Sequence, residues 1–558
     1  MNFKRAAAAA VCLTALAMPA AASAADPLPP GAAKSANLEY VDRSADAAGI
    51  TEGKFDRIGK TDILVVTGRF GFKTYDVSDP ANPALLDTFM PPGVNPANGY
   101  WQDEDMELDT KRNLIIGALD PRHNETDPVA SGCPDNDGLS VRDPDCRSGF
   151  YVISYGDPAN LRQVGDFVSM PAGHTASCIQ DCKYIWTGGP ARRDDQGNLG
   201  PYTREGFGLP PVDNTQPPSL SNRVVGDGRP IWVTDLRNPA KPVVSDEPID
   251  LWRNDGYTDY SHDVDEDEQG IAWVAGRGGI RGYATSGWHR DPYQNRFRRA
   301  SPFDPILVAG GGVAWDDPNV QGDDGTAQPV MLMHNSGRPT DGSVRASGVK
   351  KGNVLVGTEE DFTTTNGCGD SGRIVLSDLT DSMGGEPASQ STRAKPYRMK
   401  TLDSFHPFRN EQPTSNPTAG CSAHYFEIEG AMLGAAWYGQ GLRLLDISNA
   451  RDVAQVGYYR VSGTGTDNPT SNSWDVAFRS VETKSRGRKS TEDYVYLFDM
   501  SRGVEVLKIN NGGLAATSRM KEVKAPPMKA SAAKYAAKPV SSLVDTGDSG
   551  RFICPLFE

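Results

Sequence analysis

The sequence predicts an all-β chain folded as a seven-bladed β-propeller of four-stranded antiparallel blades with long loop insertions. The first observation behind this is a recurring phrase: an apolar β run, a Gly turn, and a second β run. It reads VVTGRFGFKTYDVSDPANP (65–83), WVAGRGGIRGYATS (273–286), AAWYGQGLRLLDIS (435–448) and LFDMSRGVEVLKIN (497–510). Gly71, Gly279, Gly441 and Gly503 align across the four copies, as do Phe72, Ile280, Leu442 and Val504. The second observation is that seven β-rich units lie end to end, starting near residues 54, 104, 174, 262, 331, 424 and 474. The third is the near absence of helical periodicity in a chain with 59 Gly and 41 Pro, the composition that many tight turns require. A unit this small cannot bury both faces alone and must stack on its neighbours. A β-sandwich shares the local pattern but has no reason to repeat one four-strand phrase seven times.

Taken in order, residues 1–24 read as a secretory signal. Lys4 and Arg5 form a basic start, an Ala/Val/Leu-rich core follows, and Ala22-Ser23-Ala24 offers a small-residue cleavage site. That core is too short and Ala-rich for a membrane anchor, and the mature chain has no other apolar run long enough to span a bilayer. Residues 25–53 form an N-terminal segment that can supply a ring-closing strand, since closure removes exposed sheet edges. Residues 54–510 are the propeller. Unit six shows its plan: HYFEI (424–428), the apolar run MLGAAWY, LRLLDIS and VAQVGYYRV are four successive strands. The stretches DVSDPANP (76–83), TDLRNPAKP (234–242) and DISNARDV (446–453) are connectors from third to fourth strand. There Asp and Ser bond nearby backbone and Pro presets φ. Residues 511–558 are a low-complexity Ala/Lys/Pro/Met tail.

These phrases resemble the LVIVD repeat family of exported bacterial and archaeal proteins. SHDVDEDEQGIAWVAGRGGIR (261–281), TYDVSDPANP (74–83) and CSAHYFEIEG with GLRLLDIS (421–448) carry the resemblance. It implies a seven-bladed propeller at or near the cell surface and implies no particular activity.

A secreted or periplasmic location follows from the signal, and the family resemblance extends it to association with the cell surface. Seven of the eight cysteines survive its removal, and an oxidising compartment favours pairing. The candidate disulfides are Cys133 with Cys146, Cys178 with Cys182, and Cys368 with Cys421, which leaves Cys554 alone. Net charge is −15 and grows more negative once Lys4 and Arg5 leave. Nucleic acid is excluded as a partner, because phosphates demand a basic surface. No GxSxG, HExxH or phosphate-binding Gly loop occurs, so serine hydrolase, zincin and P-loop chemistry lack support.

Chemistry concentrates at one repeat position. His174, His262, His334 and His424 each open a unit, and Ala176, Val264 and Phe426 two places on confirm a shared register. Trp474 takes the place in unit seven, and Glu104 or Asp105 in unit two. In a propeller the first strand lines the central channel, so this position becomes a ring around one mouth. The turn between second and third strands opens on the same face. It adds Arg69, Arg277, Glu359, Glu360, Asp361, Tyr438 and Arg502 as channel-mouth candidates, and the insertions 121–148 and 189–222 crowd that face. Neutral imidazoles beside carboxylates suit Cu, Zn or Fe. The competing role for each His is a staple to the backbone of the neighbouring blade. Asp135, Asp137, Asp143 and Asp145 offer oxygens to Ca²⁺, without the full EF-hand spacing. On sequence alone the leading reading is a non-catalytic binding or scaffold module for an extracellular or envelope protein or glycan. The alternative is a metal-dependent oxidoreductase or hydrolase with the four histidines as ligands.

Overall fold

Seven antiparallel sheets follow one another along the chain, and each begins with its innermost strand. These inner strands are Ile50–Ile58, Glu107–Asp109, Thr175–Ile179, Tyr260–Glu266, Met333–Gly337, Ala423–Glu429 and Ser473–Ser485, which open blades 1 to 7. The computed structural model describes residues 26–94, 104–119, 149–170, 173–188, 231–245, 249, 260–277, 279–291, 296–309, 333–360, 372–380, 399–407, 422–485, 488–510 and 512–524. In blade 1 the strands Ile50–Ile58, Thr61–Gly68, Gly71–Asp76 and Ala84–Phe89 pair in sequence order. The other blades repeat that plan. Among the described residues helix is confined to short 3₁₀ turns, and no helix is long and apolar enough to cross a membrane.

Closure comes from the N-terminal side. Leu38–Ser44 pairs with Gly503–Ile509 as the fourth strand of blade 7, so the two ends of the ring share one sheet. Ala32–Lys34 adds a fifth strand to blade 6 beside Ala454–Val461. The core is divided among the seven junctions between blades. Ile63 and Val65 of blade 1 pack on Ile115 and Ile153 of blade 2, and Trp186 of blade 3 packs on Val264 and Ala272 of blade 4. Tyr496 and Phe498 of blade 7 pack on Ile50 and Leu64 of blade 1, which completes the circle. Each fully buried aliphatic side chain contributes about 1.5–3 kcal/mol, so neighbouring blades hold one another in place.

The repeated glycine has a geometric cause. Gly71, Gly441 and Gly503 sit at φ +86°, +72° and +89° at the start of the third strand. A Cβ there would lie 2.4, 2.2 and 2.2 Å from the carbonyl oxygens of Phe89, Tyr459 and Ser44, all on or ending the fourth strand. The Asp-x-Ser connectors close as Asx turns: the amides of Ser78 and Ser448 donate to Asp76 and Asp446 at 2.8 and 2.9 Å.

Cys178 and Cys182 form a disulfide across the turn that joins the first two strands of blade 3. Gln180, Asp181 and Cys182 there are all left-handed, an arrangement unusual without glycine. Cys133, Cys146, Cys368, Cys421, Cys554 and the four Asp residues considered for Ca²⁺ lie outside the described residues. The basic run near residue 296 is part of a small hairpin after the third strand of blade 4. Trp288–Asp291 pairs with Arg296–Arg299 as a small hairpin, anchored where Arg298 bonds Asp291 and Asp304 at 2.6 and 2.7 Å.

A candidate metal centre at the channel axis

Four imidazoles from four consecutive blades meet at the axis. His174 stands just before the inner strand of blade 3, with its amide donating to the Gly188 carbonyl. His262, His334 and His424 lie on the inner strands of blades 4, 5 and 6. Their rings follow one another around the channel, with centroids 4.4 Å apart from His174 to His262, then 4.1 Å to His334 and 4.0 Å to His424. Trp474 of blade 7 continues the circle 4.7 Å from His424. The four histidines are at most 1% exposed.

A local irregularity places these rings. Blade 4 breaks register between Ser261 and Asp263, blade 5 between Met333 and Ser336, blade 6 between Ala423 and Phe426, and blade 7 between Ser473 and Asp475. Each break falls on the repeat position. Bulges of this kind bend a strand and re-aim a side chain.

The Nε2 atoms point at a shared carboxylate. Glu104 Oε2 lies 3.1 Å from His174 Nε2, 3.5 Å from His334, 3.6 Å from His262 and 3.9 Å from His424. Glu104 precedes the inner strand of blade 2 and is fully buried. His174 Nε2 and His262 Nε2 are only 2.9 Å apart. Two imidazole lone pairs cannot face each other at that distance without a proton or cation between them. A second carboxylate, Glu360, stands farther out, 4.0 Å from His262, 3.8 Å from His334 and 3.8 Å from His424. The Tyr438 hydroxyl donates to its Oε1. Three overlapping triads can each present their atoms to one ion: Glu104 with His334 and His424, Glu104 with His174 and His262, and Glu360 with His262 and His334.

Charge and protonation suit a cation. Burial pushes His262 and His424 well below the ordinary imidazole value, and the neighbouring rings push them in the same direction. His334 is also lowered, first by burial. Burial alone would raise Glu104, but the imidazoles around it override that and hold its carboxyl low. The result is a carboxylate anion beside three imidazoles, His262, His334 and His424, that favour the neutral form, the protonation state that metal ligands need. His334 makes no well-aligned hydrogen bond through either ring nitrogen, although both are buried. His424 shows how staple and ligand combine. Its Nδ1 pairs with the Trp474 carbonyl of the next blade at 2.6 Å, which turns Nε2 into the channel.

Ligands about 2.1 Å from a common ion stand about 3.0 Å apart at right angles and about 3.4 Å apart at tetrahedral angles. The separations here run from 2.9 to 3.9 Å, so the wider ones must close by a few tenths of an ångström to complete the shell. The donor chemistry therefore fits a transition metal.

The remaining channel-mouth candidates divide. Glu360, Tyr438 and Trp474 join the imidazoles. Glu359 turns aside into an ion pair with Arg373 at 2.6 Å. Arg502, fully buried, pairs with Glu505 at 2.7 Å and bonds Asn468 and the Pro469 carbonyl. Arg69 is exposed at its turn. Asp361 and the side chain of Arg277 lie outside the described residues.

No family model matches the sequence, and no curated protein matches it. Among solved structures the chain is similar to the periplasmic gluconolactonase PpgL of Pseudomonas aeruginosa, at 12% identity and a TM-score of 0.41, covering 81% of this chain and 96% of that one. It is also similar to the β-propeller domain of Cps50 from Myceliophteria thermophila, at 9% identity and 0.42, covering 85% and 99%. Sqt1 of Saccharomyces cerevisiae is similar at 9% and 0.38, covering 80% and 82%.

Proposed function

We propose that this chain is an exported metalloenzyme whose transition-metal centre is held by His174, His262, His334 and His424, with Glu104 as a fifth donor. The observation that carries this is the gathering of four Nε2 atoms within 3.1–3.9 Å of one buried carboxylate oxygen. On sequence alone a binding module ranks first, because recurrence along a chain says nothing about convergence in space. The Nε2 separations support the reverse order. The repeat phrases support an LVIVD-type propeller, and the basic-apolar start supports secretion or a periplasmic location.

Oxidoreductase chemistry is the favoured class. Hydrolytic zinc sites use three protein ligands and keep water on the fourth position, whereas four imidazoles would fill a four-coordinate ion. A six-coordinate ion such as iron keeps a position open with the same donors. Glu360, set beyond the nitrogen layer and oriented by Tyr438, is placed to accept or return a proton. His424 is held by the Trp474 carbonyl as its Nδ1–H tautomer.

Elemental analysis of full-length protein purified without added metal tests the reading. The expected result is about one transition-metal ion per chain, lost in His262→Ala and His424→Ala variants that remain folded. Metal-free protein that also takes up none on titration would return the chain to the binding-module class.

A further inference from the structure

Beneath the imidazole layer the channel holds a second layer of charge that the metal centre does not use. Lys54 from blade 1 lies 3.2 Å from Glu52, 3.3 Å from Asp105 and 3.3 Å from Glu107. Asp263 and Asp265 of blade 4, Glu427 of blade 6 and Asp475 of blade 7 all sit within the field of the same ammonium. One cation thus answers seven carboxyl groups. Side-chain exposure rises steadily away from the imidazoles: Glu104 is 0% exposed, Asp105 11%, Glu107 22% and Lys54 32%. Asp265 is exposed although protein surrounds it. The acidic layer is therefore more open to solvent than the imidazole layer.

A separate feature marks the top of this funnel. Tyr425 is 6% exposed, and its hydroxyl has no hydrogen-bond partner. Its ring rests on His334 and His424, at centroid distances of 4.5 and 5.0 Å. The charges that act most strongly on its hydroxyl are Asp263, Glu104, Asp105 and Glu52. A buried oxygen therefore stands between the acidic funnel and the nitrogen donors.

We propose that the acid-lined lower channel is the loading path by which a hydrated divalent cation reaches the imidazole layer, with the Tyr425 hydroxyl as the last oxygen it meets. The inference rests on the metal-centre reading above. A narrow cleft of one sign concentrates oppositely charged ions and speeds their capture by 10- to 1,000-fold, with steep dependence on ionic strength. Oxygen donors suit a hydrated ion in transit, and imidazoles then retain it. Where these carboxyls are ionised, the same field repels anions, which directs an anionic substrate to the other mouth.

The test is stopped-flow loading of full-length apoprotein with Co²⁺ at pH 8, followed by visible absorption of the bound ion, at about 20 mM and about 300 mM salt. The Asp265→Asn/Glu427→Gln double variant should load at least about 10-fold more slowly at low salt and lose most of its salt dependence. Its equilibrium Co²⁺ affinity and stoichiometry should stay within about threefold of wild type. Tyr425→Phe, which deletes one oxygen from a packed ring, should also slow loading with affinity retained. Unchanged loading rates and salt dependence in both variants would overturn the path while leaving the metal centre intact. Wild-type protein that binds no Co²⁺ at equilibrium would instead overturn the metal-centre reading itself.

Discussion

Asp475→Asn should make the metal-free protein more stable at alkaline pH, and the size of the effect follows from where Asp475 sits. Its side chain is inside the lower channel, accepts a hydrogen bond from the Gly53 amide at 3.4 Å, and is 7% exposed. Burial pushes its carboxyl up to about 8 from an ordinary 3.8, with Glu427 adding repulsion. A folded-state value above the unfolded one means the proton binds the folded chain more tightly. That contribution is complete below about pH 4, drains away as pH rises, and is gone above about pH 8. At about 1.4 kcal/mol per tenfold change in proton affinity, the ceiling is about 6 kcal/mol. Glu427 occupies the same field and takes up part of the relief, so about half the ceiling, about 3 kcal/mol, is the working figure. For a chain of 558 residues the unfolding entropy is about 1 kcal/mol per degree. About two-thirds of that change, about 2 kcal/mol, falls between pH 5 and pH 9, so the asparagine variant should gain about 2 °C on wild type in thermal midpoint across that window, measured by scanning fluorimetry in chelator. Parallel pH slopes for the two proteins would refute a buried, proton-holding Asp475.

Three other outcomes follow from single contacts. Gly441→Ala combines a left-handed backbone with a Cβ only 2.2 Å from the Tyr459 carbonyl. It should cost at least about 2 kcal/mol in denaturant midpoint, while Gly430→Ala, with φ +60° and open space around it, should cost only about 1 kcal/mol. Glu505→Gln should lower stability by about 3–5 kcal/mol, because Arg502 would keep a fully buried charge without its partner; an unchanged thermal midpoint would contradict that. Saturating a transition metal to about 100 times its dissociation constant should add about 2.7 kcal/mol to the apoprotein. His334→Ala should abolish that shift, and a retained shift would move the ion elsewhere.

The architecture was legible because every blade spells out its own turn. The aligned glycines mark close passage under a fourth-strand carbonyl, and the Asx turns mark the way out of the third strand. The histidines were legible as a repeat position. Their place around one channel mouth was legible too, but not how closely the rings approach, because that depends on the bulge in each inner strand. Glu104 was visible only as one of two candidates for that position in unit two, although it carries the oxygen that the nitrogens surround. Nothing in the sequence marks Asp263 and Asp265 as channel groups, since alternation along one strand cannot reveal what six other strands bring to face it. Arg502 and Glu359 carried the right charge at the right turn, but each has a nearer partner, Glu505 and Arg373. Pairing at short range outweighs a distant site, and repeat position alone does not encode it.

The register breaks explain how one strand serves two layers of the channel. A regular strand sends successive side chains to opposite faces, so a residue after an inward histidine should enter the blade junction. Instead His262 and Asp263 both face the axis, the first among the imidazoles and the second among the acids. Trp474 and Asp475 repeat this in blade 7, and Thr51 and Glu52 sit at the same break in blade 1. The bulge sets two residues of the inner strand against one of its neighbour. The next position, Val264 or Val476, then returns to the apolar junction between blades. Packing resumes in phase one residue late. Blades 4 and 6 in this way offer an imidazole and then an oxygen donor, His262 with Asp263 and His424 with Tyr425, without exposing their cores. The repeat therefore pairs chemistry with closure: the residues that line the channel are adjacent in sequence to those that lock neighbouring blades together.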